Sequence, residues 1–107
     1  MSLHIFRATV RGHFADLDDE TRARLLAEVD DHSIFRSAYT AAGTFSYEPN
    51  LVAFNFRYEI RARGDDPQVT AEASARHLAE GHLREAGIGH KHLRVNVVDM
   101  ADIWSGT

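Results

Sequence analysis

The 107-residue sequence contains no cysteine, two prolines and a single lysine, Lys91. The absence of cysteine excludes disulfide bonds, thiolate metal ligands and cysteine nucleophiles. No apolar run approaches the roughly 20 residues that a membrane-spanning helix requires. The first residues form neither the basic nor the apolar segment of a secretion signal. We therefore expect a soluble, cytoplasmic protein that folds as one domain over residues 1–107.

Signatures of common catalytic and nucleotide-binding sites are also absent. The sequence has no glycine-rich phosphate loop, no HExxH pair and no GxSxG turn. Side chains able to move a proton are scattered along the chain and form no recognisable unit. They are His82, Tyr39, Tyr47, Tyr58, Asp99 and Asp102. The sequence thus predicts no cofactor and favours a binding or interaction module over an enzyme.

Two stretches alternate apolar residues with arginines. They are IFRATVRGHF, residues 5–14, and VAFNFRYEIRAR, residues 52–63. Because successive side chains of a strand point to opposite faces of a sheet, each predicted strand buries one face and exposes arginines on the other. A third alternating stretch, residues 92–100, predicts a final strand. Residues 37–63 predict a β-hairpin that turns at Glu48–Asn50.

Two segments have the periodicity of helices. The first covers about residues 19–31, with Asp18 as its N-cap. Its apolar face would contain Leu25, Leu26 and Val29. The second begins after Asp66 and ends at Gly87, where a glycine followed by Ile88 is typical of a Schellman stop. Its apolar stripe would contain Ala71, Ala75, Leu78, Ala79, Leu83 and Ala86.

The resulting order, β-α-β-β-α-β, predicts an α+β ferredoxin-like sandwich. In this fold a four-stranded antiparallel sheet carries both helices on one face, and strands one and three occupy its centre. The arginines of the predicted strands would then gather on the face that the helices leave uncovered.

Several segments together resemble a family of short bacterial proteins of unknown function. These segments are FRATVRGHF, AYTAAGTFSYE before FNFRYE, and GIGHKHL before DM. The resemblance covers nearly the whole chain and implies the ferredoxin-like topology, but it implies no activity. The family pattern has an aromatic residue where this sequence has His90, so we assign that position no shared role.

The arginines of the uncovered face provide the leading functional hypothesis. They are Arg7, Arg11, Arg57, Arg61 and Arg94. Like charges at strand spacing repel one another unless an anion or a partner's carboxylates lie between them. The surface is therefore a binding site for an anionic small molecule, an interface for a protein partner, or a solvated surface that binds nothing. We expect a weak anion site that uses Arg7, Arg57 and Arg61.

Nucleic acid is not an expected partner. RNA-recognition modules of this topology place stacking aromatic residues on the uncovered sheet face, whereas Phe54, Phe56 and Tyr58 are predicted to point inward. The net charge of −4 also opposes binding to a polyanion. No membrane partner is indicated either.

The rival hypothesis is a small cofactor-independent enzyme. In it an arginine would hold a carboxylate substrate while His82, Tyr39 or Tyr47 moves a proton. His82 falls within the apolar stripe of the second helix and should be semi-buried, whereas His77 should be solvated. His90 and His92 would project the same way and could share a metal with His82, but two ligands do not make a site, and no metal is expected.

The apolar pair Ile103 and Trp104 follows the last predicted strand. Such a pair near a terminus packs over a sheet edge of its own domain or meets a second subunit. We expect a homodimer that uses strand edges, helices or this tail rather than two facing arginine surfaces, because burying unpaired charges would be costly.

Overall fold

The computed structural model describes residues 3–101. Its strands are β1 (His4–Phe14), β2 (Thr44–Tyr47), β3 (Ala53–Ala62) and β4 (His90–Asp99), and its helices are α1 (Asp19–Ala27) and α2 (Pro67–Glu85). The strands pair antiparallel in the order β2-β3-β1-β4. This is the ferredoxin-like order, so the predicted α+β fold is confirmed. The predicted packing of Ile103 and Trp104 lies outside the described residues.

The core forms between α2 and the inner face of the two central strands. Every second residue is buried along β1 and β3, as the alternation predicts. Three alanines and Leu83 of α2 are completely buried, and their small size lets the helix lie close to the aromatic side chains of the sheet. Burying each of Phe6, Phe54 and Phe56 stabilises the fold by about 1.5–3 kcal/mol.

Both ends of α2 follow the prediction. The Asp66 carboxylate accepts a hydrogen bond from the backbone N–H of Val69. At the other end the N–H of Ile88 donates to the Leu83 carbonyl and that of Gly87 to the Arg84 carbonyl, which is the Schellman pattern. Leu78, however, is 43% exposed, so its predicted burial is wrong. At 100° per residue Leu78 lies at the edge of the stripe, on the side away from Ala79 and Leu83.

Helix α1 is shorter than predicted. Asp18 caps it as expected, and Leu25 enters the core, but the helix ends at Ala27. A 3₁₀ turn over Val29–His32 follows, and Nδ1 of His32 donates a hydrogen bond to the Phe45 carbonyl. This tertiary contact draws the chain toward β2. Leu26 is 43% exposed, so its predicted place on the apolar face is wrong.

The strand β2 also differs from its prediction. It begins at Thr44, and the preceding residues 33–43, here called the crossing segment, are not part of the hairpin. A second 3₁₀ turn occupies Ile34–Arg36. Gly43 ends the segment with φ +83° and packs against the ring of Tyr58. The turn at Glu48–Asn50 is confirmed by a hydrogen bond from the Leu51 N–H to the Glu48 carbonyl.

No helix within residues 3–101 is long and apolar enough to cross a membrane.

Gly43 provides a test of how tightly the crossing segment is held. A Cβ at Gly43 would lie 2.1 Å from a ring carbon of Tyr58, whereas Gly87, at φ +70°, has open space around it. Gly87→Ala should lower the free energy of unfolding by about 1–2 kcal/mol because of its positive φ. Gly43→Ala should lower it by a further ~1–3 kcal/mol through the clash. Urea unfolding of the two variants measures this difference, and equal losses would contradict the packing.

Candidate functional site

The face of the sheet opposite the helices carries all five predicted arginines. Arg7 and Arg11 lie on β1, Arg57 and Arg61 on β3, and Arg94 on β4. They do not form one uniform cluster, because their neighbours differ. Arg61 lies 3.8 Å from the carboxylate of Glu59 and is largely exposed.

Tyr39, from the crossing segment, lies over the open face. The guanidinium carbons of Arg7 and Arg57 are 5.2 and 5.3 Å from the centroid of its ring. The Tyr39 hydroxyl is 3.1 Å from the hydroxyl of Thr9 on β1, which fixes the ring. Each cation–π contact at such a partly exposed site contributes on the order of 0.5–1 kcal/mol. Two of the five arginines are thus stabilised by an aromatic ring of the same chain.

Arg11 and Arg94 lie directly opposite each other on β1 and β4. Opposite positions of an antiparallel pair place the Cβ atoms about 5 Å apart, a spacing at which like charges are destabilising. Among residues 3–101 no carboxylate lies within ion-pair distance of either side chain. This pair is the part of the arginine face that lacks a compensating group.

The Arg11–Arg94 pair lines a depression of about 820 Å³. Arg57 also lines it, and the Nε of Arg57 is buried without a hydrogen-bond partner in the part of the chain that the structure describes. The other lining residues are Gly12, His13, Ile34, Ala53, Phe54, Asn55 and His92. Three arginines therefore line one concave space, and no acidic residue lines it.

Two further depressions share walls with the first. One, of about 550 Å³, shares Arg11 and Arg94 and extends toward Tyr39 and Asn96. The other, of about 290 Å³, shares Ile34, Ala53 and Asn55 and extends toward the hairpin turn. We call the three together the open-face groove. It runs across β1 and β3, and the crossing segment supplies part of its wall through Ile34 and Tyr39.

A β-bulge decides where the histidines of β4 point. The register between β1 and β4 shifts between Arg11 and His13, and His92 has a positive φ of +56°. The bulge brings the His92 ring to 5.5 Å from the ring of His13, whereas His90 pairs with the inward-facing Phe14. The prediction that His90 and His92 project the same way is therefore wrong. Residues 3–101 contain no group of three His, Asp or Glu side chains suited to a metal ion.

The three predicted proton carriers are not brought together. Tyr47 points to the helix side, where its hydroxyl donates to the Leu25 carbonyl, and burial raises its pKa to about 12. His82 also lies on the helix side, with its ring 5.2 Å from the rings of both Phe45 and Phe56. His82 is exposed, so its predicted semi-burial is wrong, although its ring contacts these phenylalanines. His77 is exposed as predicted. Tyr39 alone of the three lies on the arginine face.

The environment of His82 predicts a dependence of stability on pH. Burial against the phenylalanines, together with the charge of His32, holds the pKa of His82 below its ordinary 6.5. The unfolded chain therefore binds more protons just below pH 6.5, so this group's contribution to stability is complete above that pH and is lost as the pH falls below it.

Replacing the group should reduce that dependence. His82→Gln should show a smaller loss of stability than the unmodified protein between about pH 7.5 and about pH 5.5, as measured by urea unfolding. His77→Gln, which changes an exposed histidine of the same helix, is the control and should leave the loss unchanged. An identical pH dependence in His82→Gln would show that the His82 ring is not desolvated.

Comparison with known proteins identifies a family. Residues 1–107 match the family of unknown function DUF6204. No curated protein and no solved structure matches the chain. The family match confirms the expectation of a family of unknown function, and since it spans every residue of the sequence, the chain belongs to the DUF6204 family.

Proposed function

We propose that the protein binds a small anionic molecule in the open-face groove, with Arg11 and Arg94 as its principal contacts and Arg57 beside them. The observation that carries the proposal is the directly opposed Arg11–Arg94 pair, which no carboxylate of the described chain neutralises. The site differs from the one expected from sequence. Arg61 has Glu59 as a partner. Arg7 lines none of the depressions that form the groove, whereas Arg57, which contacts Tyr39 as Arg7 does, lines the central one.

An oxyanion between these side chains would change an unfavourable contact into a favourable one. Planar guanidinium groups match the oxygens of carboxylates and phosphates, and a hydrogen bond to a charged group contributes about 1.5–3 kcal/mol. Arg11 and Arg94 are exposed, so solvent and salt screen this gain. The affinity should therefore be modest and should weaken as the ionic strength rises.

Thermal unfolding in the presence of phosphate or sulfate tests the proposal. With the ionic strength held constant by sodium chloride and the anion near 100 times its dissociation constant, the melting temperature should rise by several degrees. Arg94→Ala should abolish the rise. Arg76→Ala removes the same charge from an exposed position of α2 and should retain it. An equal rise in both variants would place anion binding elsewhere on the molecule.

A second candidate is the small cofactor-independent enzyme, and one observation favours it. Tyr39 lies beside two arginines and lines the groove, so its hydroxyl could exchange a proton with an anion held there. Tyr39→Phe should then abolish turnover of a carboxylate substrate while leaving its affinity within about threefold, because the ring and its cation–π contacts remain. Unchanged turnover in Tyr39→Phe would exclude this role.

We also infer that the protein is a homodimer in the bacterial cytoplasm. The outer edge of β4 is not paired with another strand of the described chain, and Phe35 is 96% exposed. Both are features that a second subunit would cover. Light scattering of the purified protein should give twice the chain mass of 12.0 kDa, and a monomer mass at micromolar concentration would contradict the inference.

A further inference from the structure

The open-face groove is larger than a simple inorganic anion requires. Its central depression alone has a volume of about 820 Å³, within the range of roughly 300–1,000 Å³ that is typical of sites for small organic ligands. The arginines occupy only part of its wall. The rest of the wall indicates what else a bound molecule would contact.

The end of the groove nearest the hairpin turn carries apolar side chains beside Glu48 and Asn50 of the turn, and is here called the apolar end. Ile34 and Ala53 line both the central depression and the smaller one beside it, and Val52 lines the smaller one. Ile34 and Val52 are 44% and 55% exposed, so apolar surface faces solvent at this end. Covering such surface is favourable because it removes apolar area from water.

Neutral polar groups lie between the apolar end and the arginines. Asn55 lines both depressions and is directly opposite Arg11 on the neighbouring strand. Ser46 is only 2% exposed, lines the smaller depression, and its hydroxyl has no hydrogen-bond partner within residues 3–101. A buried hydroxyl without a partner is unfavourable because it has lost its hydrogen bonds to water.

We propose that the ligand is a small amphiphile with an oxyanion head and an apolar body. The head, a carboxylate or a phosphate, lies between Arg11 and Arg94, and the body extends past Asn55 along Ile34 and Ala53. From Asn55 to Ala53 the strand rises about 7 Å, which gives the body a defined contact length. This inference rests on the proposed anion site and adds the chemical class of the ligand.

Homologous series of ligands test the inference by isothermal titration calorimetry. The first series consists of the carboxylates acetate, butanoate, hexanoate and octanoate. The second consists of methyl, butyl, hexyl and octyl phosphate. Affinity should rise by about twofold to fourfold for each methylene that enters the apolar end. Comparison of the two series shows which head group the arginines prefer.

Three variants locate the two halves of the site. Ile34→Ser should remove most of the dependence on chain length while leaving the affinity for the shortest ligands unchanged. Val69→Ser changes another exposed apolar side chain, on α2, and should leave both unchanged. Arg94→Ala should weaken every member of both series, by about tenfold or more.

Each contrary result identifies the step that fails. Affinity that does not depend on chain length in the unmodified protein would overturn the amphiphile and leave the anion site standing. Chain-length dependence that persists in Ile34→Ser would overturn the placement of the apolar body. The absence of binding by any member of either series would overturn both the amphiphile and the proposed function.

Discussion

The burial of the aromatic face of β1 and β3 under α2 determines the register of the sheet and the side on which its arginines lie. Phe6, Phe54 and Phe56 are almost inaccessible to solvent, and the completely buried alanines of α2 lie among the same core residues. A shift of one residue in either central strand would place arginines in this core and phenylalanines in solvent. The register of the sheet is therefore strongly specified. The arginines gather on the open face because the aromatic residues occupy the other one.

The crossing segment divides that arginine face into parts with different roles. Tyr39 covers Arg7 and Arg57, and Glu59 accompanies Arg61. Most acidic residues lie elsewhere, including seven within residues 16–31. The Arg11–Arg94 pair is left with a concave space in front of it and no carboxylate of the described chain nearby. A chain with a net charge of −4 thus presents a locally positive groove, which would attract anions despite the overall charge.

Local patterns predicted the parts of the fold that depend on neighbouring residues. The alternation along β1 and β3 and the caps Asp18, Asp66 and Gly87 could be inferred because each requires particular residues within a few positions. The path of residues 33–43 could not, because contacts distant in sequence determine it, such as Thr9 with Tyr39 and His32 with Phe45. The bulge that separates His90 from His92 depends on the pairing of two strands. The arginines of the site were predictable, but their different partners were not.

Arg11 and Arg94 should repel each other until an anion lies between them. A double-mutant cycle tests it, with Arg11→Ala, Arg94→Ala and the combined variant unfolded by urea at low ionic strength, without and with saturating sulfate. Without sulfate the two side chains should interact unfavourably, by a few tenths to about 1 kcal/mol, and with sulfate the interaction should become favourable. An interaction energy near zero in both buffers, or one that does not change sign, would contradict the claim.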